Sequence, residues 1–457
     1  MEVDINQIRS SRKFRRRKME FLNGVNPDTI RYIVELVPSV LYWAVVDMQG
    51  LNQSSKGRRS FRFLKPSRTK DIERKNFLKG VSFTAPTVSI DENNPGNTSP
   101  IKTRPMRSCA RNSRHSVTLV YTDKEFVYVP LTNEFGPLDL PTTMRYIDFM
   151  DCCLSKSPSN VFIHISDYRN PTLCSNSGLL AAIFTHIRFQ RTASEVAQIF
   201  QSVPPQYLPP FRDASSAPCC SFPLTIKTML QAVETSIRFR WINWESYDVS
   251  KAEFFQHVHN GDMNWILENQ FIAFAGPSSD GADEDGFDVL TPNHYINIFP
   301  HFGVSDVVRL NIANYDGAEF VSAGIRHHDF FFEDGSCPSV SIVNSFLSAV
   351  DSAQGAVAVH CKAGLGRSVT LIGAHVMRTY KVSAEIFIAW ARLARPGSVI
   401  GPQQHFLAEI QPYLWNSKPA KSSSRKLKAL GSDSYIGKNG DEGQASRLLI
   451  QKRQRLL

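Results

Sequence analysis

An apolar run, Ala356 to Val359, stops at His360-Cys361, and six positions beyond the cysteine stands Arg367. Behind Arg367 an apolar segment follows at helical spacing: Leu371, Ile372, Val376 and Met377. A run that short and that hydrophobic reads as a strand buried on both faces. Between strand and helix lie only Lys362-Ala363-Gly364-Leu365-Gly366, enough for a tight loop. Strand, small loop, helix points to an α/β architecture. It also aims a row of loop N–H groups, at the positive end of a helix dipole, at one point. A phosphate dianion is stabilised there, and so is a thiolate. Cys361 and Arg367 become opposite rims of one anion cradle, which implies an enzyme that removes phosphate.

The chemistry follows from the residue types. A free thiol titrates near ~8.5, and local positive potential can lower it by ~3 units, worth about 4 kcal/mol. The Cys361 thiolate would attack phosphorus and form a phosphocysteine. Arg367 would bind two phosphoryl oxygens bidentately and hold their charge through the transition state. Gly364 and Gly366 let the backbone close around an anion without Cβ clashes. Ser368 can donate to the sulfur as it leaves, and His360 is read as orienting the loop rather than taking a proton. The leaving oxygen needs an acid from a separate loop. Asp329-Phe-Phe-Phe-Glu333-Asp334-Gly335-Ser offers two, and Asp334 is favoured because Gly335 suits a mobile loop. Gln403-Gln404 supply amides that could hold a water, but from the residues alone a solvent-facing pair is the simpler reading.

Charge is unevenly placed. The chain of 457 residues is +10 overall, but residues 1–55 hold 8 Lys/Arg against 6 Asp/Glu, residues 56–115 hold 15 against 4 and residues 418–457 hold 10 against 3, which leaves 116–417 at −10. An acidic body with basic appendages disfavours nucleic acid and anionic membrane as partners of the body and favours a basic substrate. The appendages suit import receptors or cytoskeleton. No apolar run reaches the ~18 residues of a membrane span, and Met-Glu-Val-Asp does not open a secretory signal. The eight cysteines show neither a disulfide framework nor a zinc spacing, so a reducing compartment is expected, with no metal and no cofactor.

Along the chain, residues 1–20 read as a basic disordered arm, 50–116 as a disordered basic insertion and 416–457 as a basic disordered tail. Strands are expected at Val117–Tyr121, Phe126–Val129, Val161–His164, Phe271–Phe274, Val307–Leu310 and Val357–His360. Helices are expected at Pro141–Leu154, Gly178–Phe189, Leu224–Ile237, Ile342–Val350, Leu371–Tyr380, Ala384–Arg392 and Gln403–Leu414, with a helical linker near Tyr247–Asn260. An internal echo appears: Val161-Phe-Ile-His164-Ile165 resembles Val357-Ala-Val-His360-Cys361, with Ile165 standing where the cysteine would be. This suggests two domains of one architecture, only the second chemically competent.

The run His360-Cys361-Lys-Ala-Gly-Leu-Gly-Arg367 and the run Arg395-Pro-Gly-Ser-Val-Ile-Gly-Pro-Gln-Gln-His-Phe-Leu407 together resemble the cell-division-cycle-fourteen phosphatases, dual-specificity enzymes of mitotic exit. Phe331-Phe-Glu-Asp334-Gly-Ser, Gly261-Asp-Met-Asn-Trp-Ile266, Phe271-Ile-Ala-Phe-Ala-Gly-Pro277, Tyr207-Leu-Pro-Pro-Phe-Arg-Asp-Ala-Ser215 and Phe135-Gly-Pro-Leu138 match as well. The resemblance implies an α/β fold of two tandem phosphatase-like domains, each a mixed, mostly parallel sheet flanked by helices. These would span residues 21–245 and 261–415, joined by a linker helix at 246–260. It implies Cys361 as nucleophile, Arg367 as phosphate clamp, Asp334 as general acid and Glu253 as a carboxylate of the substrate groove. The implied partners are phosphoproteins carrying phosphoserine before Pro, with Lys or Arg nearby, as cyclin-dependent kinases leave them. The expected location is nucleus and cytoplasm, with spindle pole, basal body or nucleolus as candidate sites.

Two departures stand out. Val369 occupies a position where the family usually has Gly, and the 50–116 insertion is unusual. Within that insertion Ser99-Pro-Ile-Lys102 has the form of a kinase site and equally of a substrate. Two other functions compete. One is a phosphoinositide phosphatase, which Leu365 opposes because extra inositol phosphates want a second Lys there. The other is a catalytically weak scaffold that binds phosphopeptides, which Val369 keeps open. Cys337, close behind Asp334, is a candidate for a reversible disulfide with Cys361.

Overall fold

The structure, a computed structural model, describes residues 27–54, 63–64, 116–417 except 133, 216–220, 283–285 and 287, and also Leu448. The basic arm at 1–20 and Ser99 lie outside the described residues. Two five-stranded sheets organise the rest. The first comprises β1 (Ile30–Val37), β2 (Leu41–Val46), β3 (Phe63–Leu64), β4 (Val117–Tyr121) and β5 (Val161–Asp167) in the order β1-β2-β5-β4-β3. The second comprises β6 (Met263–Leu267), β7 (Phe271–Ala275), β8 (Val304–Arg309), β9 (Arg326–Asp329) and β10 (Ala356–Cys361) in the order β6-β7-β10-β8-β9.

The two orders agree in their first three places and exchange the outer two, since the strand beside the centre is the fourth of its sheet in the first (β4) and the third in the second (β8). Each sheet opens with an antiparallel edge pair, β1 on β2 and β6 on β7. Each then continues in parallel through a central strand, β5 or β10, whose residues are almost wholly buried. Val-Phe-Ile-His and Val-Ala-Val-His can occupy these central places because helices cover both faces of a parallel sheet, so neither face tolerates a solvated side chain. The echo between the strands is therefore a true structural repeat. After β5 and after β10 the chain enters a long helix, Pro171–Phe189 or Arg367–Tyr380, and then a second helix with a side-chain cap. Thr192 forms a capping box with Glu195 in the first domain, and Ser383 accepts from Ile386 N in the second.

The domains share one continuous core. Helix Ile226–Arg238 of the first packs on helix Ala384–Ala394 of the second. At the seam, Trp241 lies 5.6 Å from Trp390 and 5.8 Å from Tyr380 between ring centroids. The Trp390 indole donates to Ile266 O at 2.8 Å. The edges of Trp390 and Tyr380 are satisfied, while Trp241 Nε1 has no partner among the described residues, so it is ring packing that holds the two halves as one body.

Some expectations change. Phe126–Val129 is turn and extended coil, not strand. Its alternation is real, since Phe126 and Tyr128 pack inward while Val127 and Val129 are exposed, but β4 already has a strand on each side and offers no free edge. Two pieces of the stretch read as a disordered insertion are regular: a helix at Met48–Ser54, and β3, which pairs in parallel with β4. The rest of that insertion lies outside the described residues. The linker is a shorter helix than expected, Val249–Gln256, followed by a 3-10 turn at Val258–Asn260. Among the described residues no helix is long and apolar enough to cross a membrane.

Candidate active site

The site begins where β10 ends. Cys361 closes the strand, the loop takes five residues, and Arg367 opens the helix. The loop is shaped from behind by a residue 28 positions beyond the helix start, Arg395. Its buried guanidinium donates from Nε to Gly364 O at 2.8 Å and from Nη2 to Ala363 O at 3.1 Å. The same group is held by Asp262 Oδ1 at 2.8 Å and Asn264 Oδ1 at 2.6 Å. In a trans peptide the carbonyl and the following N–H point opposite ways. Pinning the carbonyls of 363 and 364 outward therefore turns the N–H groups of Gly364 and Leu365 to the other side, where an anion would sit. Gly364 has φ +67, and a Cβ there would lie 2.0 Å from Phe274 O. Only glycine fits.

A second support fixes Cys361 itself. His360 is fully buried, and burial drives its imidazole down to about 3. Its Nδ1 lies 3.2 Å from Cys361 O and its Nε2 2.7 Å from the Tyr315 hydroxyl, which is also 2.8 Å from His327 Nε2. The Cys361 carbonyl can only accept, so the Nδ1 of this neutral ring carries the proton and Nε2 accepts from Tyr315. The Tyr315 oxygen is then left to accept from His327 Nε2–H, whose ring burial lowers to about 4. His360 thus orients the loop through a fixed chain of donors. Gly276 completes this wall, because a Cβ there would fall 2.3 Å from Cys361 O.

Arg367 faces the loop that carries the candidate acid. Its Nη1 donates to Phe332 O at 2.9 Å, and its Nη2 meets Asp334 Oδ1 at 3.0 Å. Asp334 is partly exposed and precedes Gly335, which takes φ +72. Two buried polar atoms at this junction, Arg367 Nε and Ser368 Oγ, have no hydrogen-bond partner among the described residues. Such atoms cost about 1–3 kcal/mol each unless a partner is supplied, and phosphoryl oxygens and a sulfur anion are acceptors of the right kind.

The glutamines are buried, not solvent-facing, and they have separate jobs. Gln403 donates to Ser336 O at 3.1 Å, accepts from Ile400 N at 3.2 Å, and lies so close to Gly366 that a Cβ there would come within 2.8 Å of its Oε1. It touches both the phosphate loop and the acid loop. Gln404 instead accepts from Arg392 Nη2 at 2.7 Å and donates to Gly401 O, which makes it a structural group. Val369 is buried in the core within an unbroken helix. Leu365 packs with Leu131 and Ala214 of the first domain and with Ala363 and Ile400. Lys362 is half-buried at the loop's start. Burial pushes the Cys337 thiol up to about 12, which leaves it a poor partner for thiol exchange.

A cleft of about 160 Å³ runs from Val127–Leu131 of the first domain, past Asp139 and Gln256, to Asn264, Arg395 and Pro396. Glu253 does not line it. Its carboxylate is held by Arg145 in a two-point pair, Nε to Oε1 at 2.6 Å and Nη2 to Oε2.

The first domain keeps the framework and lacks the cradle. His164 is buried and neutral, between Thr122 and Tyr146. Five residues separate Ile165 from Pro171, as five separate Cys361 from Arg367, but strand β5 runs on to Asp167 and takes two of them out of the loop. Asp123 Oδ2 already accepts from Asp167 N at 3.1 Å and from Ser166 Oγ at 2.8 Å. A carboxylate of the chain itself is therefore bound at this strand's end.

Tyr315, His327, Arg395, Asp262 and Asn264 were not expected in supporting roles. The signal was present only for the last three, inside the Gly261 and Arg395 motifs.

The fold and the site have the form of a cysteine-based phosphatase of the dual-specificity type, built as two tandem units. Residues 102–236 match the family described as dual specificity protein phosphatase, N-terminal half, and residues 290–414 match the dual specificity phosphatase catalytic domain. Human dual specificity protein phosphatase CDC14A is 39% identical over 301 residues, which is 64% of this chain and 49% of that protein. Zebrafish CDC14AB is 38% identical, over 64% of this chain and 48% of that one. The tyrosine-protein phosphatase CDC14 of Saccharomyces cerevisiae is 33% identical, over 60% and 51%. Across both units the chain is similar to the CDC14 dual-specificity phosphatases. It spans about half the length of the curated relatives it matches.

Phenylalanine at Tyr315 would remove the donor to His360 Nε2 with little change of volume. The expected result for Tyr315→Phe is a fall in kcat of about tenfold, the equivalent of one buried hydrogen bond, with KM changed less than twofold. Steady-state kinetics on an aryl phosphate would show it.

Proposed function

We propose that the chain is a protein phosphatase that hydrolyses phosphoserine and phosphothreonine before Pro, and phosphotyrosine, through a phosphocysteine intermediate. It would reverse cyclin-dependent kinase phosphorylation in cell division. The observation that carries this reading is the junction of Cys361, outward-pinned loop carbonyls, and the partnerless Arg367 Nε and Ser368 Oγ. In the first step the Cys361 thiolate attacks phosphorus and the P–O bond to the substrate breaks. Asp334 gives the leaving oxygen its proton. The phosphate competes with Asp334 for Arg367 Nη2, so binding breaks that ion pair as it engages the clamp. In the second step a water held by Gln403 attacks phosphorus, Asp334 takes its proton, and the S–P bond breaks while Ser368 donates to the departing sulfur. His360, neutral and committed at both nitrogens, transfers no proton.

Leu365, packed against apolar groups, supports a protein substrate over a phosphoinositide. The test is hydrolysis of a phospho-Ser-Pro-x-Lys peptide beside a phosphotyrosine peptide and a phosphoinositide. Cys361→Ser should abolish turnover, by 10⁴-fold or more, and trap phosphoprotein. A wild-type protein that binds the peptides and releases no phosphate would instead be a scaffold.

The −10 body supports a preference for basic peptides. As it stands, Arg145 neutralises Glu253, while Asp139 remains in the cleft and accepts from Gln256 Nε2 at 2.8 Å. Arg145→Ala should free Glu253 for a substrate Lys and lower KM for the Lys-containing peptide about two- to fivefold, the scale of a half-exposed ion pair, with no effect on an aryl phosphate. For location we propose nucleus and cytoplasm, directed by the basic segments. Loss of nuclear signal on deleting 56–115 would support this, and unchanged distribution would remove it.

A further inference from the structure

One residue far from the rest of the described chain sits at the site. Leu448, 31 positions beyond Ser417, is only 2% exposed. It belongs to a small apolar cluster with Leu131, Ala214, Ala363, Leu365 and Ile400. The make-up of that cluster is informative. Ala363 and Leu365 are phosphate-loop residues. Ile400 gives its N–H to Gln403. Leu131 and Ala214 come from the first domain, and Leu131 also lines the interdomain cleft.

The cluster is thus a rim seat, made by both domains, beside the loop that receives phosphate. A peptide whose phosphorylated residue enters that loop must lay its neighbouring residues against this rim. Leu448 covers it. The long-range charge agrees, because 418–457 carries 10 Lys/Arg against 3 Asp/Glu while 116–417 is −10. Arg447, Lys452, Arg453 and Arg455 flank the leucine, so the segment has the basic character proposed for the substrates.

We propose that Leu448, seated in cis on the rim of the phosphate loop, makes the tail a built-in competitive inhibitor that a bound phosphopeptide displaces. This rests on the protein-phosphatase reading above. Tethering gives the segment a high effective concentration, so one buried leucine suffices for a measurable effect. It also makes the inhibition relievable by anything that captures the tail.

The test uses the full chain. Leu448→Asp should lower KM for the phospho-Ser-Pro-x-Lys peptide about tenfold, the scale of losing one buried leucine contact, with kcat unchanged. Leu448→Ala should give a smaller fall in the same direction. A synthetic peptide of residues 441–457, added to Leu448→Asp, should raise KM again competitively. Equal KM in wild type and both variants would overturn the proposal. So would a fall in kcat at constant KM, which would make the leucine a prop for the loop. A direct readout separates this from the function reading. A fluorescent 441–457 peptide should bind Leu448→Asp and lose affinity at least tenfold when Leu131→Asp is added. If the peptide binds in this way but no phosphopeptide is hydrolysed, the docking stands and the phosphatase reading fails. If it does not bind, the docking fails regardless of turnover.

Discussion

The Arg395 guanidinium is the point on which the site depends. Its removal from water is costly, and the Asp262 carboxylate opposite it is as deeply buried. Such a pair is a poor source of stability in itself. What it achieves here is geometric. Three donor nitrogens are spent on four oxygens, two of them loop carbonyls. A lysine could not span these positions, because its three donors radiate from one point instead of lying along a planar fork. A loop of five residues containing two glycines has much conformational freedom to lose. The buried fork removes that freedom before any substrate arrives, which is what preorganisation requires.

The same fold without such a cradle is visible in the first domain, and the contrast isolates what the chemistry needs. Both central strands carry a buried neutral histidine with a tyrosine hydroxyl beside it. Both feed a long helix. The differences are a strand that runs two residues further before the helix, an isoleucine for the cysteine, and the Asp123 carboxylate bound at the strand's end. Burial raises Asp123 to about 6, and it stays in place because Ser166 and the Asp167 N–H hold it. Architecture alone is therefore neutral about function. The first domain contributes in other ways, through the aromatic seam at Trp241 and the walls at Leu131 and Ala214.

Local patterns in the chain disclosed the central parts. The strand before Cys361, the tight loop, the helix after Arg367 and the acid loop before Asp334 are all short-range signals. Most helices were legible for the same reason. What stayed hidden lies in long-range contacts. Nothing near Tyr315 says that its hydroxyl meets a histidine 45 positions on. The burial of Gln403 and Gln404 comes from loops 37 or more residues away and from a buried arginine, and no local polarity pattern reveals it. Strand β9, Arg-His-His-Asp, has no hydrophobic alternation because its side chains make polar contacts, an Arg326–Asp306 ion pair and a His328–Asp306 hydrogen bond. Phe126–Val129 failed in the opposite sense, since its alternation was real and no sheet edge was available to receive it.

The buried imidazoles carry a consequence for acid. His164 and His360 are held near 3, His327 and His375 near 4, in every case chiefly by desolvation. In the unfolded chain such rings take up protons near pH 6.5. As pH falls below that value the unfolded state binds protons the folded state refuses, so each ring subtracts from stability, and the loss grows down to the folded values. Two of the four, His360 and His327, belong to the tyrosine chain behind the cysteine. Mild acidification therefore leaves the catalytic scaffold unchanged in shape while weakening it from within. The part of the loss that comes from His360 and His327 falls on the groups that hold the loop.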